Sequence, residues 1–143
     1  WALAGARVGC LIADAEVISL LRRIMPPYPL PTPSIVAALG ALNAEGLELT
    51  RQRIGLIVSE RERMAAELAR LPSVIEVLPS QANFLCVRFD DAPQIQRNLQ
   101  RSGVIVRDVG RNPRLAGYLR ISIGSREENS RLLEALVRKE VSG

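Results

Sequence analysis

The chain has 143 residues, 48% of them hydrophobic, with a net charge of +4, which suits a globular protein able to bury a sizeable core. Basic and acidic residues are interleaved, as in Glu60-Arg61-Glu62-Arg63, and aromatic residues are only 3%, so no nucleic-acid surface is expected. Histidine is absent and Lys139 is the only lysine, which excludes Ser-His-Asp and Cys-His nucleophile systems and His-containing zinc sites built by this chain alone; no metal site is expected.

The opening Trp1-Ala2-Leu3-Ala4-Gly5-Ala6-Arg7 has no initiating methionine and reads as the interior of a longer protein. No signal peptide and no apolar run of membrane-spanning length is visible. Val8 to Ala13 is an apolar run after a glycine turn and predicts a strand. Asp14 is placed to cap a helix with Val17, Ile18, Leu20 and Leu21 on its apolar face, ending near Met25. Pro26-Pro27-Tyr28-Pro29-Leu30-Pro31 fixes an extended connector. Tyr28 there reads as packing on the prolines, with contact to a cofactor or partner subunit as the alternative.

Thr32-Pro33 predicts the N-cap and first residue of a helix reaching about Asn43. A longer helix follows from about Leu47 to Leu71, with Ile54, Ile57, Met64, Leu68 and Leu71 on its apolar stripe, and reads as a spine between two lobes. Arg63, Glu67 and Arg70 are spaced for surface pairing. After Pro72 the pattern turns to β: strands over 74–78 and 83–89, then a helix from Asp90 or Asp91 to about Ser102 with Pro93 in its first turn. Two further strands come from Gly103-Val104-Ile105-Val106-Arg107-Asp108 and Tyr118-Leu119-Arg120-Ile121-Ser122-Ile123-Gly124. Ser125-Arg126-Glu127-Glu128 is a capping box opening a last helix to about Val141. The order β-β-α-β-β-α predicts an α+β lobe with helices on one face of a small sheet. Cys10 and Cys86, isolated in apolar segments, read as small buried hydrophobes in a reducing compartment, and Lys139 as a solvated surface residue.

Alternation in the last strand puts Leu119, Ile121 and Ile123 on one face and Tyr118, Arg120 and Ser122 on the other. An arginine among β-branched residues is costly to bury unless it meets an anion, and its planar fork matches a carboxylate or phosphate. Arg107 and Arg120 therefore mark either an anion-reading site or a sheet edge. At an edge the arginines pair with neighbouring acids such as Asp108 or snorkel to water.

Taken together, Trp1 to Gly9, Pro27-Tyr28-Pro29-Leu30-Pro31-Thr32-Pro33, Ser80-Gln81-Ala82-Asn83-Phe84 and the two arginine runs resemble class I/II aminotransferases, and among them the C-terminal part of the histidinol-phosphate aminotransferases. The resemblance covers essentially the whole chain. It implies an α/β fold-type I architecture. Residues 1–31 would end the large cofactor domain, 32–71 form a helical connector with the interdomain helix, and 72–143 form the small C-terminal α+β domain. It further implies pyridoxal 5'-phosphate as cofactor and amino transfer between L-glutamate and imidazole-acetol phosphate, giving histidinol phosphate and 2-oxoglutarate in histidine biosynthesis. The parent would be a cytoplasmic homodimer with no membrane or nucleic-acid partner.

By the same resemblance Arg7 contacts the cofactor phosphate, unless it only closes a loop over a helix end. Arg120 binds the substrate carboxylate, Arg107 supplies a second anion contact, and Asn83 lies near the substrate or merely stabilises a turn. The family's Schiff-base lysine would lie two positions before Trp1, so no catalytic residue is expected within the chain and the chain alone is expected to be inactive. Two rival readings are a threonine-phosphate decarboxylase-like enzyme and a non-catalytic anion-binding domain.

Overall fold

The structure, a computed structural model, describes residues 3–137; Trp1, Lys139 and the predicted helical residues up to Val141 lie outside the described residues. The chain forms two compact units that divide between Arg53 and Ile54, within one long helix.

In the first unit a single turn of 3-10 helix, Ala4–Ala6, precedes α1, Ala15–Ile24. The predicted strand over Val8 to Ala13 does not form, and these residues are exposed. A strand exists only where a neighbouring backbone completes its hydrogen bonds, and among the described residues nothing pairs with this segment. Cys10 is accordingly exposed rather than buried. Asp14 caps α1, its Oδ1 accepting from the Glu16 N–H at 3.0 Å. Tyr28 is 93% exposed, so it does not pack on the prolines around it.

Helix α2 spans Thr32–Leu42, with Pro31 rather than Thr32 at the N-cap. The Pro31 carbonyl accepts from the Ser34 N–H at 3.0 Å as well as from the Ile35 N–H at 3.2 Å, and Pro33 brings no N–H, which leaves little for a side-chain cap to satisfy. Helix α3, Ala44–Leu68, starts three residues earlier than the apolar stripe suggests. Asn43 Oδ1 accepts from the Gly46 N–H at 2.7 Å and caps it early. A Cβ at Gly46 would stand 2.5 Å from the Gly40 carbonyl oxygen, so only glycine lets α2 turn this tightly into α3.

The second unit is built on an antiparallel sheet of β1 (Val74–Val77), β2 (Phe84–Phe89), β3 (Arg107–Asp108) and β4 (Tyr118–Ser122), in the spatial order β1-β2-β4-β3. Helices α4 (Ala92–Arg101) and α5 (Arg126–Val137) complete it. Asp91 caps α4 through the Gln94 N–H at 2.9 Å, and both halves of the capping box at α5 form, between Ser125 and Glu128. Gly103, at φ 75°, closes α4. Its N–H bonds the Gln100 carbonyl and the Val104 N–H bonds the Leu99 carbonyl, the paired bonds of a Schellman ending that launches the chain toward Arg107.

One face of the sheet is apolar and covered. Leu85, Val87, Phe89, Leu119, Ile121 and Ile123 pack with Met64 and Leu68 of α3, Ile95 and Leu99 of α4, and Leu132 and Leu136 of α5. Each fully buried leucine removed from water here contributes roughly 1.5–3 kcal/mol. Period-2 alternation sends Phe84, Cys86, Arg88, Tyr118, Arg120 and Ser122 to the opposite face. Cys86 is therefore half-buried on the outer face, not in the core. On α3, Arg70 pairs with Glu67 at 3.3 Å as its spacing predicts, whereas Arg63 turns back to Glu60 at 2.7 Å instead of meeting Glu67.

Candidate functional site

The outer face of the second unit carries a row set by strand register: Cys86 stands opposite Arg120, and Arg120 opposite Arg107. Of the two arginine strands β4 is inner and β3 lies at an edge, so Arg120 is not the edge arginine that sequence allowed as an alternative. Like charges directly opposite on neighbouring strands repel, and neither arginine has an ion pair among the described residues. Asp108 does not neutralise Arg107; its Oδ1 accepts from the Gly110 N–H at 2.7 Å in a tight turn.

Arg120 is half-buried, and its guanidinium carbon lies 5.3 Å from the centre of the Phe84 ring. Its Nε is buried and has no hydrogen-bond partner among the described residues. A buried charged donor left unpaired costs more than the ordinary ~1–3 kcal/mol of an unmade hydrogen bond. An anion placed between them would remove that cost and the repulsion from Arg107 together. Both arginines open onto a cleft of about 410 Å³ lined also by Gln96, Val106, Asp108 and Ser122. Gln96 donates from Nε2 to the Val106 carbonyl at 3.2 Å, fixing the backbone just before Arg107.

Asn83 is exposed at the start of β2, and its carbonyl accepts from the Ile123 N–H at 2.9 Å. Its side chain makes no hydrogen bond among the described residues, and it is not among those lining the cleft. The turn before it is held by Ser80, whose Oγ donates to the Phe84 carbonyl at 2.7 Å and accepts from the Ala82 N–H at 3.1 Å. Ser80, not Asn83, thus does the turn-stabilising work. On the same face the Tyr118 hydroxyl donates to the Glu76 carboxylate of β1, and that bond raises the phenol above its usual pKa. In the sequence Phe84 stands out only as the last residue of the Ser80–Phe84 motif, with no role of its own, and Gln96 does not stand out at all. The alternation Phe84-Cys86-Arg88 carried the signal for Phe84, while Gln96 offered none beyond a polar position on an amphipathic helix.

Arg7 belongs to the first unit. It is exposed and has φ 55°, the only non-glycine residue with positive φ among those described. The left-handed backbone thus falls on the arginine itself rather than on Gly5. Such a conformation costs on the order of 1 kcal/mol or more and is retained at ligand-binding turns more often than elsewhere. Among the described residues no group of three His, Cys, Asp or Glu side chains is placed to hold a metal ion, and no helix is long and apolar enough to cross a membrane.

The family model for aminotransferase class I and II matches residues 1–136. A histidinol-phosphate aminotransferase of Xanthomonas axonopodis pv. citri (strain 306) is 55% identical over 97% of this chain, and one of Xylella fastidiosa (strain 9a5c) is 49% identical over 94%. The chain spans 38% and 37% of the length of these two relatives. Among solved structures, an aminotransferase from Burkholderia pseudomallei K96243 superposes with a TM-score of 0.79 at 30% identity, covering 88% of this chain and 38% of that one. The histidinol-phosphate aminotransferase of Clostridium acetobutylicum gives a TM-score of 0.81 at 20% identity, covering 91% of this chain and 39% of its own. L-threonine-O-3-phosphate decarboxylase from Porphyromonas gingivalis gives 0.74 at 20% identity, covering 98% and 43%, a likeness of fold alone. With a family match running through both units, the chain belongs to the class I and II aminotransferases.

Proposed function

We propose that this chain is the C-terminal part of a pyridoxal-phosphate-dependent histidinol-phosphate aminotransferase that moves an amino group between L-glutamate and imidazole-acetol phosphate. In this reading residues 1–31 end the cofactor domain, 32–71 connect, and 72–143 form the small domain of a cytoplasmic homodimer. The observation that carries it is the opposed Arg107–Arg120 pair with its buried, unpartnered Nε, open to a cleft of about 410 Å³. Identities of 49–55% to histidinol-phosphate aminotransferases across nearly all of the chain support the choice of substrate.

Arg120 receives the substrate carboxylate through its guanidinium fork, with Phe84 against its face limiting its rotation. Fixing that end of the substrate turns binding energy into alignment at the reacting carbon. Arg107, across the strand pair, meets a second anionic group such as the phosphate of the larger substrate. Asn83 stands at the same end of β2 as Phe84, with its amide free for a polar substrate group. Arg7 fits the cofactor phosphate: it is exposed, free of ion pairs among the described residues, and set in a backbone conformation that an anion contact offsets. When bound, pyridoxal phosphate supplies the electron sink that stabilises a carbanion at the substrate Cα.

The test is an assay of the full-length polypeptide containing this chain. Glutamate-dependent amination of imidazole-acetol phosphate is the expected activity. Release of CO₂ from L-threonine phosphate without that exchange would replace this reading by the decarboxylase one.

A further inference from the structure

The strand that carries Arg120 is tied at both ends by side chains from other elements. At its start, the Tyr118 hydroxyl reaches Glu76 of β1. Beyond its end, Asn129 of α5, 3% exposed, pairs with both polar groups of Gly124. Its Oδ1 accepts from the Gly124 N–H at 3.0 Å and its Nδ2 donates to the Gly124 carbonyl at 3.1 Å. An amide side chain that engages both backbone groups of one residue does the work of a neighbouring strand. On one side β4 meets β3 only at Leu119 and Arg120; on the other its pairing with β2 runs from Tyr118 to Ser122 and ends at the Ile123 N–H, so Gly124 lies just past the last strand contact and is held by Asn129.

Asn129 is in turn fastened to α3. Its Nδ2 also donates to Glu60 Oε2 at 2.9 Å, and Glu60, 9% exposed, is gripped by Arg63 through Nη2 at 2.7 Å and Nε at 3.1 and 3.2 Å. A buried carboxylate with this set of donors is held in one place. The chain of contacts therefore runs from α3 through Glu60 and Asn129 to Gly124, four residues beyond Arg120.

We infer that Asn129, fastened by Glu60, is a positioning residue for Arg120. Its twin bonds to Gly124 hold the end of β4 in the register that keeps the guanidinium opposite Arg107. The inference rests on the reading of Arg120 as the substrate's carboxylate clamp. A clamp displaced by even a fraction of an ångström loses the alignment it provides.

The experiment uses the full-length holoenzyme and L-glutamate, with KM, kcat and the thermal midpoint measured for each variant. Asn129→Ala and Glu60→Ala, which break the link from α3 to Gly124, are expected to raise KM for glutamate about tenfold and to lower kcat as the alignment is lost. Arg63→Met, which leaves the Glu60–Asn129 bond in place, is expected to lower the thermal midpoint with KM unchanged. A role in stability alone would instead make KM follow the thermal midpoint across all three, and that result overturns the inference. If Asn129→Ala does not fold, Asn129→Asp keeps the shape and the acceptor for Gly124 while losing both donated bonds, and a parent-like KM in it is equally fatal. Arg120→Lys, measured alongside, separates the two levels. A raised KM in Arg120→Lys with a parent-like KM in Asn129→Ala sinks only the positioning role. An unchanged KM in Arg120→Lys removes the clamp reading and the inference with it.

Discussion

Arg63 and Arg120 belong to the same unit, yet their guanidinium groups meet different surroundings. Arg63 lies along α3, where Glu60 is one helical turn away, and the two form a close ion pair that Asn129 completes from α5. Arg120 lies in the middle of a sheet, faces a second arginine, and keeps a buried Nε without a partner among the described residues. With 15 acidic residues in the chain, anions were available to Arg120 had its role been structural. The difference separates a charge that the fold uses for itself from one that, on the proposed reading, is kept for a ligand.

The comparison can be pressed from both sides. The largest effect is expected under the covered face: Leu119→Ala, next to Arg120 but pointing into the core, should cost about 2–5 kcal/mol in unfolding free energy. Glu60→Gln strands Arg63 and should cost about 1–3 kcal/mol by the same measurement at neutral pH. The Arg63 hydrogen bond, then that from Asn129, holds the Glu60 carboxyl down to about 2 from 4.5. A carboxylate with a depressed native pKa stabilises fully above its unfolded value, and the contribution disappears as pH falls through the native one. The parent should therefore lose stability between about pH 4.5 and pH 2 more steeply than Glu60→Gln. Arg107→Gln should raise KM for the phosphate-bearing substrate about tenfold while leaving the unfolding free energy nearly unchanged, since its present neighbour repels it. Smallest is Tyr118→Phe, about 1 kcal/mol or less in unfolding, because the Glu76 carboxylate it releases is exposed and finds water.

Local chemistry made much of the second unit legible in advance. Asp91 with Pro93, the Ser125–Glu128 box and the alternation over Tyr118 to Ile123 are each decided within a few residues, and each folds as read. Where the outcome depended on distant partners, the sequence was silent or misleading. Val8 to Ala13 has strand composition but no pairing backbone among the described residues, and β3 shrinks to Arg107–Asp108 because pairing with β4 ends there. Glu60 reads as one more charge in a Glu-Arg-Glu-Arg run on a solvated helix. Its spacing of four and eight residues before the buried Met64 and Leu68 was the sign that it lies on the inward stripe. Of the arginine pair, alternation gave the faces but not the register, and only the register puts Arg107 and Arg120 directly across from each other.

The most direct test of the ligand-ready arginine is KM for L-glutamate in the full-length enzyme carrying Arg120→Lys. A lysine keeps the charge and loses the fork, so KM is expected to rise by about one to two orders of magnitude. A KM equal to that of the parent would mean that Arg120 holds no carboxylate, and that the opposed arginines serve the fold rather than a substrate.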